Sequence, residues 1–164
     1  MDDPLDGDAE DGDRIAGRFV VDEAGESAIL RDVESERVFT LAEHPGFTPG
    51  EVVDGTLAPR RPLGIAYSVV SVAATRTIPV ELSDQALTER ARTTGTELAV
   101  GESARIELAD GGEAHVVGVE PDRAEERAAE LAKGSLRETA ARLDAERVEL
   151  RYDEAAGLVS VRYL

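Results

Sequence analysis

The chain has 164 residues, 41% of them hydrophobic, no cysteine, and 35 acidic side chains against 18 basic ones, a formal net charge of -17. That length can bury a core at the boundary between one domain and two, while the missing cysteines exclude disulfides and thiolate metal sites. No apolar run approaches the roughly 20 residues needed to cross a bilayer, and the acidic balance opposes binding to anionic lipid and, less strongly where salt screens charge, to nucleic acid.

Residues 1–13 (MDDPLDGDAEDGD) hold seven acids and no base. Such a stretch cannot repay the entropy of ordering its backbone, so a disordered, solvated acidic tail is expected, with an acidic interaction arm as the alternative. It carries no basic segment followed by an apolar one, so a cytoplasmic location is expected. Without these seven charges the remaining chain still carries -10, and Lys133 is its only lysine. Carboxylates hold water at high salt, and arginine in place of lysine removes long apolar stems, so the composition is that of a salt-adapted surface.

From residue 14 to 82 the pattern is of short strands and turns. Residues 17–21 (GRFVV), 27–31 and 36–41 (ERVFTL) read as an antiparallel meander. Two prolines and two glycines in residues 44–50 (HPGFTPG) force a loop. Two longer strands follow at 51–58 (EVVDGTLA) and 66–74 (AYSVVSVAA), with a short sixth at 78–82, and Gly55 marks a bend or bulge. Five or six strands in so short a span predict a small antiparallel β-barrel of the OB or SH3-like kind.

From residue 83 to 164 the alphabet shifts to Ala, Glu and Arg. Ser83 is placed to cap a helix through about residue 92, with Gly95 ending it in a left-handed conformation. A hairpin follows over 104–108 and 114–119, turning at Asp110-Gly111-Gly112. A helical stretch opens at Pro121 and breaks at Gly134, and Ser135 to Glu138 forms a capping box that restarts it. A second hairpin, 147–152 with 158–163, ends the chain. The fold class expected is α+β: an acidic tail (1–13), a small β-barrel module (14–82) and an αββααββ module (83–164).

The segments PGEVVDGTL, PLGIAYSVVSV and VELRYDEAAGLVSVRYL resemble a family of small haloarchaeal proteins known only as a domain of unknown function. The resemblance covers most of the chain past the tail. It implies habitat and fold and carries no catalytic or ligand residues to transfer.

Two histidines, His44 in the loop and His115 in a strand, are not at metal-ligand spacing. His44 fits a turn role and His115 a partly buried structural one. No G-x-S-x-G elbow accompanies a base, and no phosphate-binding glycine motif is present. Acid pairs such as Glu125-Glu126 are so common here that solvated surface is their default reading. One segment departs from the acidic background: Pro59 to Tyr67 joins two barrel strands and carries Arg60 and Arg61 with no acid nearby. Loops of this kind grip single strands in OB-like modules, arginine on phosphate and an aromatic under a base. The alternatives are pairing of these arginines with the chain's own carboxylates, or contact with a protein.

The function expected is therefore non-enzymatic: a binding or adaptor protein of a salt-adapted archaeal cytoplasm, without cofactor or metal, meeting an unidentified protein partner through Arg60, Arg61, Tyr67 and Phe47. RNA or single-stranded DNA binding through the Arg60-Arg61 loop is the alternative. A carboxylate-centred metal-dependent enzyme is a second.

Overall fold

The structure is a computed structural model that describes residues 13–61, 64–109 and 111–164. The expected acidic tail therefore lies outside the described residues except for Asp13, as do Pro62 and Leu63 of the arginine loop and Asp110 of the first hairpin turn. The described residues are mostly β, with three helices and two sheets. Its contacts gather into two compact units that meet at Thr77 and Ile78.

The first unit contains β1 (Ile15–Ala24), β2 (Ala28–Asp32), β3 (Val38–Leu41), β4 (Glu51–Pro59) and β5 (Ala66–Thr77). Alternation sets which residues of these strands face inward. Phe19 and Val21, Leu30, Phe39 and Leu41, and Val53 and Leu57 form one core with Phe47. The strands close into a ring of order β1-β2-β3-β5-β4. All neighbours are antiparallel except β3 and β5, which run parallel through Thr40 to Ala66 and Leu41 to Tyr67. That parallel seam is short, so β5 beyond Tyr67 pairs with β4 alone among the described residues. The β4–β5 register shifts beside Gly55, where an added Cβ would meet the Ser71 carbonyl oxygen at 2.6 Å. Glycine is required there by the close approach of two backbones.

The second unit contains β6 (Val80–Leu82), α1 (Glu89–Gly95), β7 (Ser103–Glu107), β8 (Glu113–Gly118), α2 (Ala124–Ala132), α3 (Leu136–Arg142), β9 (Val148–Asp153) and β10 (Leu158–Tyr163). Its sheet has the order β6-β9-β10-β8-β7. Val148, Leu150, Val159, Val161 and Tyr163 share one face, by the direct pairing of β9 with β10. The other face carries Ala114, Val116, Leu158 and Ile106, packed with Leu87 and Ala91. Both faces are thus buried, which is why Val148, Glu149 and Leu150 are consecutive buried residues.

Four local expectations need correction. Residues 78–82 do not add a sixth strand to the first sheet. Pro79 offers no backbone donor to continue the β4–β5 ladder, and Val80 to Leu82 instead run parallel to Val148 to Leu150. The first helix is capped by Thr88, whose side chain accepts from Ala91 N at 3.2 Å. Ser83 cannot cap it, because its N–H still donates to the Leu150 carbonyl at 2.8 Å and prolongs the sheet. Gly95 lies inside α1, with the helix closing at Thr96 in a right-handed conformation. Its missing side chain instead makes room for Leu158, whose Cδ1 would lie 2.5 Å from a Cβ. Likewise Ser135, at ψ 27°, makes no side-chain cap to α3, since a capping hydroxyl needs an extended backbone to reach the N3 amide.

Among the described residues no helix is long and apolar enough to cross a membrane.

Candidate macromolecule-binding surface

The feature that sets one surface apart begins in the sequence. Residues 55–80, 26 in succession, contain no Asp or Glu, yet include Arg60, Arg61 and Arg76. They make up the second half of β4, the β4–β5 connection, all of β5 and the start of the second unit. Much of this run is in solvent: Arg60 and Arg61 are exposed, as are residues 70–75 of β5. Ile65 is 74% exposed, and Val70 and Val72 are 42% and 39%. Aliphatic side chains without carboxylates among them are an unusual use of surface in so acidic a chain.

The connection is built by backbone bonds. Arg60 N donates to the Ala66 carbonyl and Gly64 N to the Arg60 carbonyl, both at 2.8 Å. Gly64 adopts φ +66°, the left-handed region that favours glycine. This turn holds Arg60 and Arg61 outward where β4 ends.

The two aromatic residues expected beside them are placed differently. Tyr67 is half-buried, with its ring edge-on to Phe39 at a centroid distance of 4.9 Å and an interplanar angle of 82°. Phe47 is only 7% exposed and belongs to the core. The structure therefore brings Arg60 and Arg61 to one exposed turn and turns both rings inward.

Phe47 is fixed by His44, which stacks on it at 5.8 Å with 15° between the planes. His44 Nδ1 accepts from the Phe47 and Gly46 amides at 3.0 and 3.3 Å. Its Nε2 faces the Gly25 carbonyl at 2.6 Å. A carbonyl can only accept, so Nε2 carries the proton and the ring is the neutral Nε2–H tautomer. His44 thus ties the loop over 42–50 to the β1–β2 turn, a structural role. In doing so it forms one wall of an open groove of about 440 Å³, between Glu43, His44 and Pro45 on one side and Ser68 to Val72 of β5 on the other. The groove starts at the residue after Tyr67, where the parallel seam ends. Sequence reasoning did not find it, because nothing local in either segment announces that they face each other.

A second cluster lies in the other unit. His115 Nε2 is 2.8 Å from Glu113 Oε2, and Arg105 Nε lies 3.7 Å from the same oxygen. The His115 ring meets Tyr163 at 5.0 Å. Tyr163 is buried, which pushes its phenol above the ordinary value, against the opposing effect of a hydrogen bond with Thr139. Glu113 and His115, two apart on β8, share a face with Tyr163 of β10 through the β8–β10 register. The cluster reads as a partly buried polar network supporting the sheet. Among the described residues no three His, Asp or Glu side chains gather as metal ligands would. The Glu125-Glu126 pair is exposed on α2.

No curated protein and no solved structure matches the chain. The model of one family does match, over residues 15–152, a span that runs from the first residue of β1 into β9 and takes in the whole acid-free run. By that match the chain belongs to the family described as a family of unknown function, DUF5812.

Proposed function

We propose that this protein is a non-enzymatic binding or adaptor protein, acting in a salt-adapted archaeal cytoplasm, whose first unit presents the contact surface. The observation that carries this reading is the acid-free run: Arg60, Arg61, Ile65, Val70 and Val72 are exposed together, beside a groove. A partner that covers this surface removes the need for carboxylates there, and aliphatic groups with arginines at one end suit another protein.

The ring order β1-β2-β3-β5-β4 with its parallel β3–β5 contact supports reading the first unit as an OB-type barrel. In that architecture the connection between strands 4 and 5, here the arginine turn, is one of the loops that contact ligands. This argument is analogy of fold and concerns where binding takes place more than what is bound. Exposure of Arg60 and Arg61 favours RNA or single-stranded DNA as the second reading. The inward rings of Tyr67 and Phe47 weigh against it, since stacking on exposed aromatics provides much of single-strand affinity.

The test is a pull-down at molar KCl with the intact chain, split into nuclease-treated and untreated halves, run beside Arg60→Glu/Arg61→Glu and Val70→Asp/Val72→Asp variants. A stoichiometric protein that resists nuclease and is lost from both variants supports the proposal. Nuclease-sensitive capture lost with the arginines supports the second reading. Capture equal for all three chains overturns both.

A further inference from the structure

The ring of the first unit has an opening on one seam. Strands β3 and β5 run parallel and pair only through Thr40 to Ala66 and Leu41 to Tyr67. Beyond those pairs the two chains separate: one continues into Glu43, His44 and Pro45, the other into Ser68 to Val72, and the groove of about 440 Å³ lies between them. A strand offers backbone donors and acceptors along both of its edges. Over residues 68–77 one edge of β5 is taken by β4, and among the described residues no strand or loop backbone bonds the other. Open edges are commonly blocked by charged residues or proline, and residues 66–75 contain neither. The β4–β5 register shift between Thr56 and Leu57 bends β5 opposite Val69 and Ser71, which keeps any added strand short.

We infer that this groove is a strand-addition site: a short extended segment of a protein partner enters between β5 and the chain at 43–45, pairs with the free edge of Ser68 to Val72, and takes the place that β3 gives up after Leu41. The inference deepens the proposed function and rests on its reading of the first unit as the contact surface. The walls of the groove select the occupant. Glu43, His44 and Pro45 close the side away from β5, and His44 is held there through both ring nitrogens. A single extended chain enters such a groove. The β5 edge of a second copy would bring its own β4 behind it, about 4.8 Å further out, on the side where Glu43 to Pro45 stand. Charge narrows the chemistry. Of the lining residues only Glu43 is charged, since the His44 ring is neutral, and Glu43 is exposed. Its carboxylate favours arginine or lysine in the entering segment and disfavours acid, while uncharged β-branched side chains suit the exposed Val70 and Val72.

The probe is a displayed library of random peptides of about eight residues, long enough to span the groove, selected at molar KCl on the intact chain. Parallel selections use Val70→Lys/Val72→Lys, which places on β5 the charge that blocks natural edges, and Glu43→Arg, both checked for folding by circular dichroism. Peptides rich in β-branched residues and carrying a basic one, lost on the lysine variant and replaced by acidic peptides on Glu43→Arg, support the inference. Glu43→Arg lies outside the strand, so its change of selectivity stands even if the lysine variant does not fold. The most enriched peptide is then synthesised and added at about ten times its Kd, where amide exchange within residues 68–72 is expected to slow about ten-fold. Glu43→Gln is expected to weaken that peptide by up to about five-fold, the worth of an exposed ion pair. No enrichment on the parent chain overturns the inference. So does binding that survives the lysine substitutions in a folded chain, selectivity unchanged by Glu43→Arg, or a bound peptide that slows no amide of residues 68–72. The pull-down distinguishes this failure from that of the proposed function: a protein captured by the parent chain and lost from Val70→Asp/Val72→Asp, with no peptide enriched, removes strand addition and leaves the contact surface.

Discussion

Glu149 and Arg151 stand on the same face of β9, with Arg151 Nε donating to Glu149 Oε1 at 2.5 Å. The same oxygen lies 3.1 Å from Nε of Arg162, directly across on β10. All three side chains are at least five-sixths buried. Arg151 also donates to the Ala86 carbonyl and to Gln85 Oε1, so it fastens the segment between β6 and α1 to the sheet. One carboxylate thus serves two buried guanidinium groups. Glu149→Ala leaves both without it, and a loss of about 3–5 kcal/mol in unfolding free energy is expected, against a smaller loss for Glu149→Gln, which keeps an acceptor. Urea titrations at fixed KCl check the ranking. A cost for glutamine as large as for alanine would mean that the charge carries the whole effect and the neutral acceptor none of it.

The β4–β5 junction at Gly55 gives a second prediction. A methyl group there would press on the Ser71 carbonyl, a backbone atom that cannot rotate away. Gly55→Ala is expected to lower stability by about 1–3 kcal/mol, the range for forced overpacking. Gly25→Ala, where a Cβ meets nothing within 4 Å, is the control and is expected to be nearly neutral.

Tyr163 sets an alkaline limit. Burial raises its folded pKa above the ordinary value of 10. The unfolded chain therefore releases this proton first as pH rises, so the folded state binds more protons and its stability falls. The contribution is fully present below pH 10 and is lost as pH climbs from there toward the folded pKa. Tyr163→Phe removes the hydrogen bond with Thr139, at a cost of about 1 kcal/mol at neutral pH, and flattens the decline attributable to this group above pH 10. Urea midpoints at pH 8 and pH 11 for both chains measure the difference. Parallel declines would show that other groups govern the alkaline limb.

A net charge of -17 predicts that stability depends on salt. Diluting KCl from molar to millimolar lengthens the Debye length from about 3 Å to tens of ångströms and restores carboxylate repulsion across the molecule. The chain is expected to expand or unfold on dilution, seen as loss of far-ultraviolet circular dichroism and a lower melting temperature. Spectra and melting temperature that hold constant over the range would contradict it.

The parts of the fold that the sequence expressed well are those governed by neighbours in the chain. The strand over residues 17–21, the terminal hairpin over 147–152 and 158–163 and the turn at Gly111-Gly112 are all read from local pattern. Partner choice was not expressed, because alternation tells a strand which side is apolar but not which other strand will lie beside it. Residues 78–82 are expected in the first sheet for that reason, and Val80 to Leu82 pair with β9 instead. Ser83 reads as the cap of the first helix, but its N–H bonds Leu150 in the sheet and Thr88 caps the helix instead. At the candidate surface the exposed arginines were legible as a lapse in acidity. The inward placement of Tyr67 was not legible from pattern alone, since an aromatic near a loop can point either way; its edge-on contact with Phe39 decides it, as stacking with His44 does for Phe47. The groove beside β5 depends on two segments more than 20 residues apart in the chain and had no local signal.

The parallel pairing of β6 with β9 bears on the order in which this protein assembles as it is made. Every strand of the first unit has met its partners once residue 77 has emerged, so that unit can close while the rest of the chain is still being synthesised. The second unit is different: β6, its first strand, has no neighbour until β9 appears. Loop closure over that interval is slow. The interval is the period in which a nascent chain of this protein is most open to mispairing, and a stall between α3 and β9 would leave a finished first unit joined to an unfinished second.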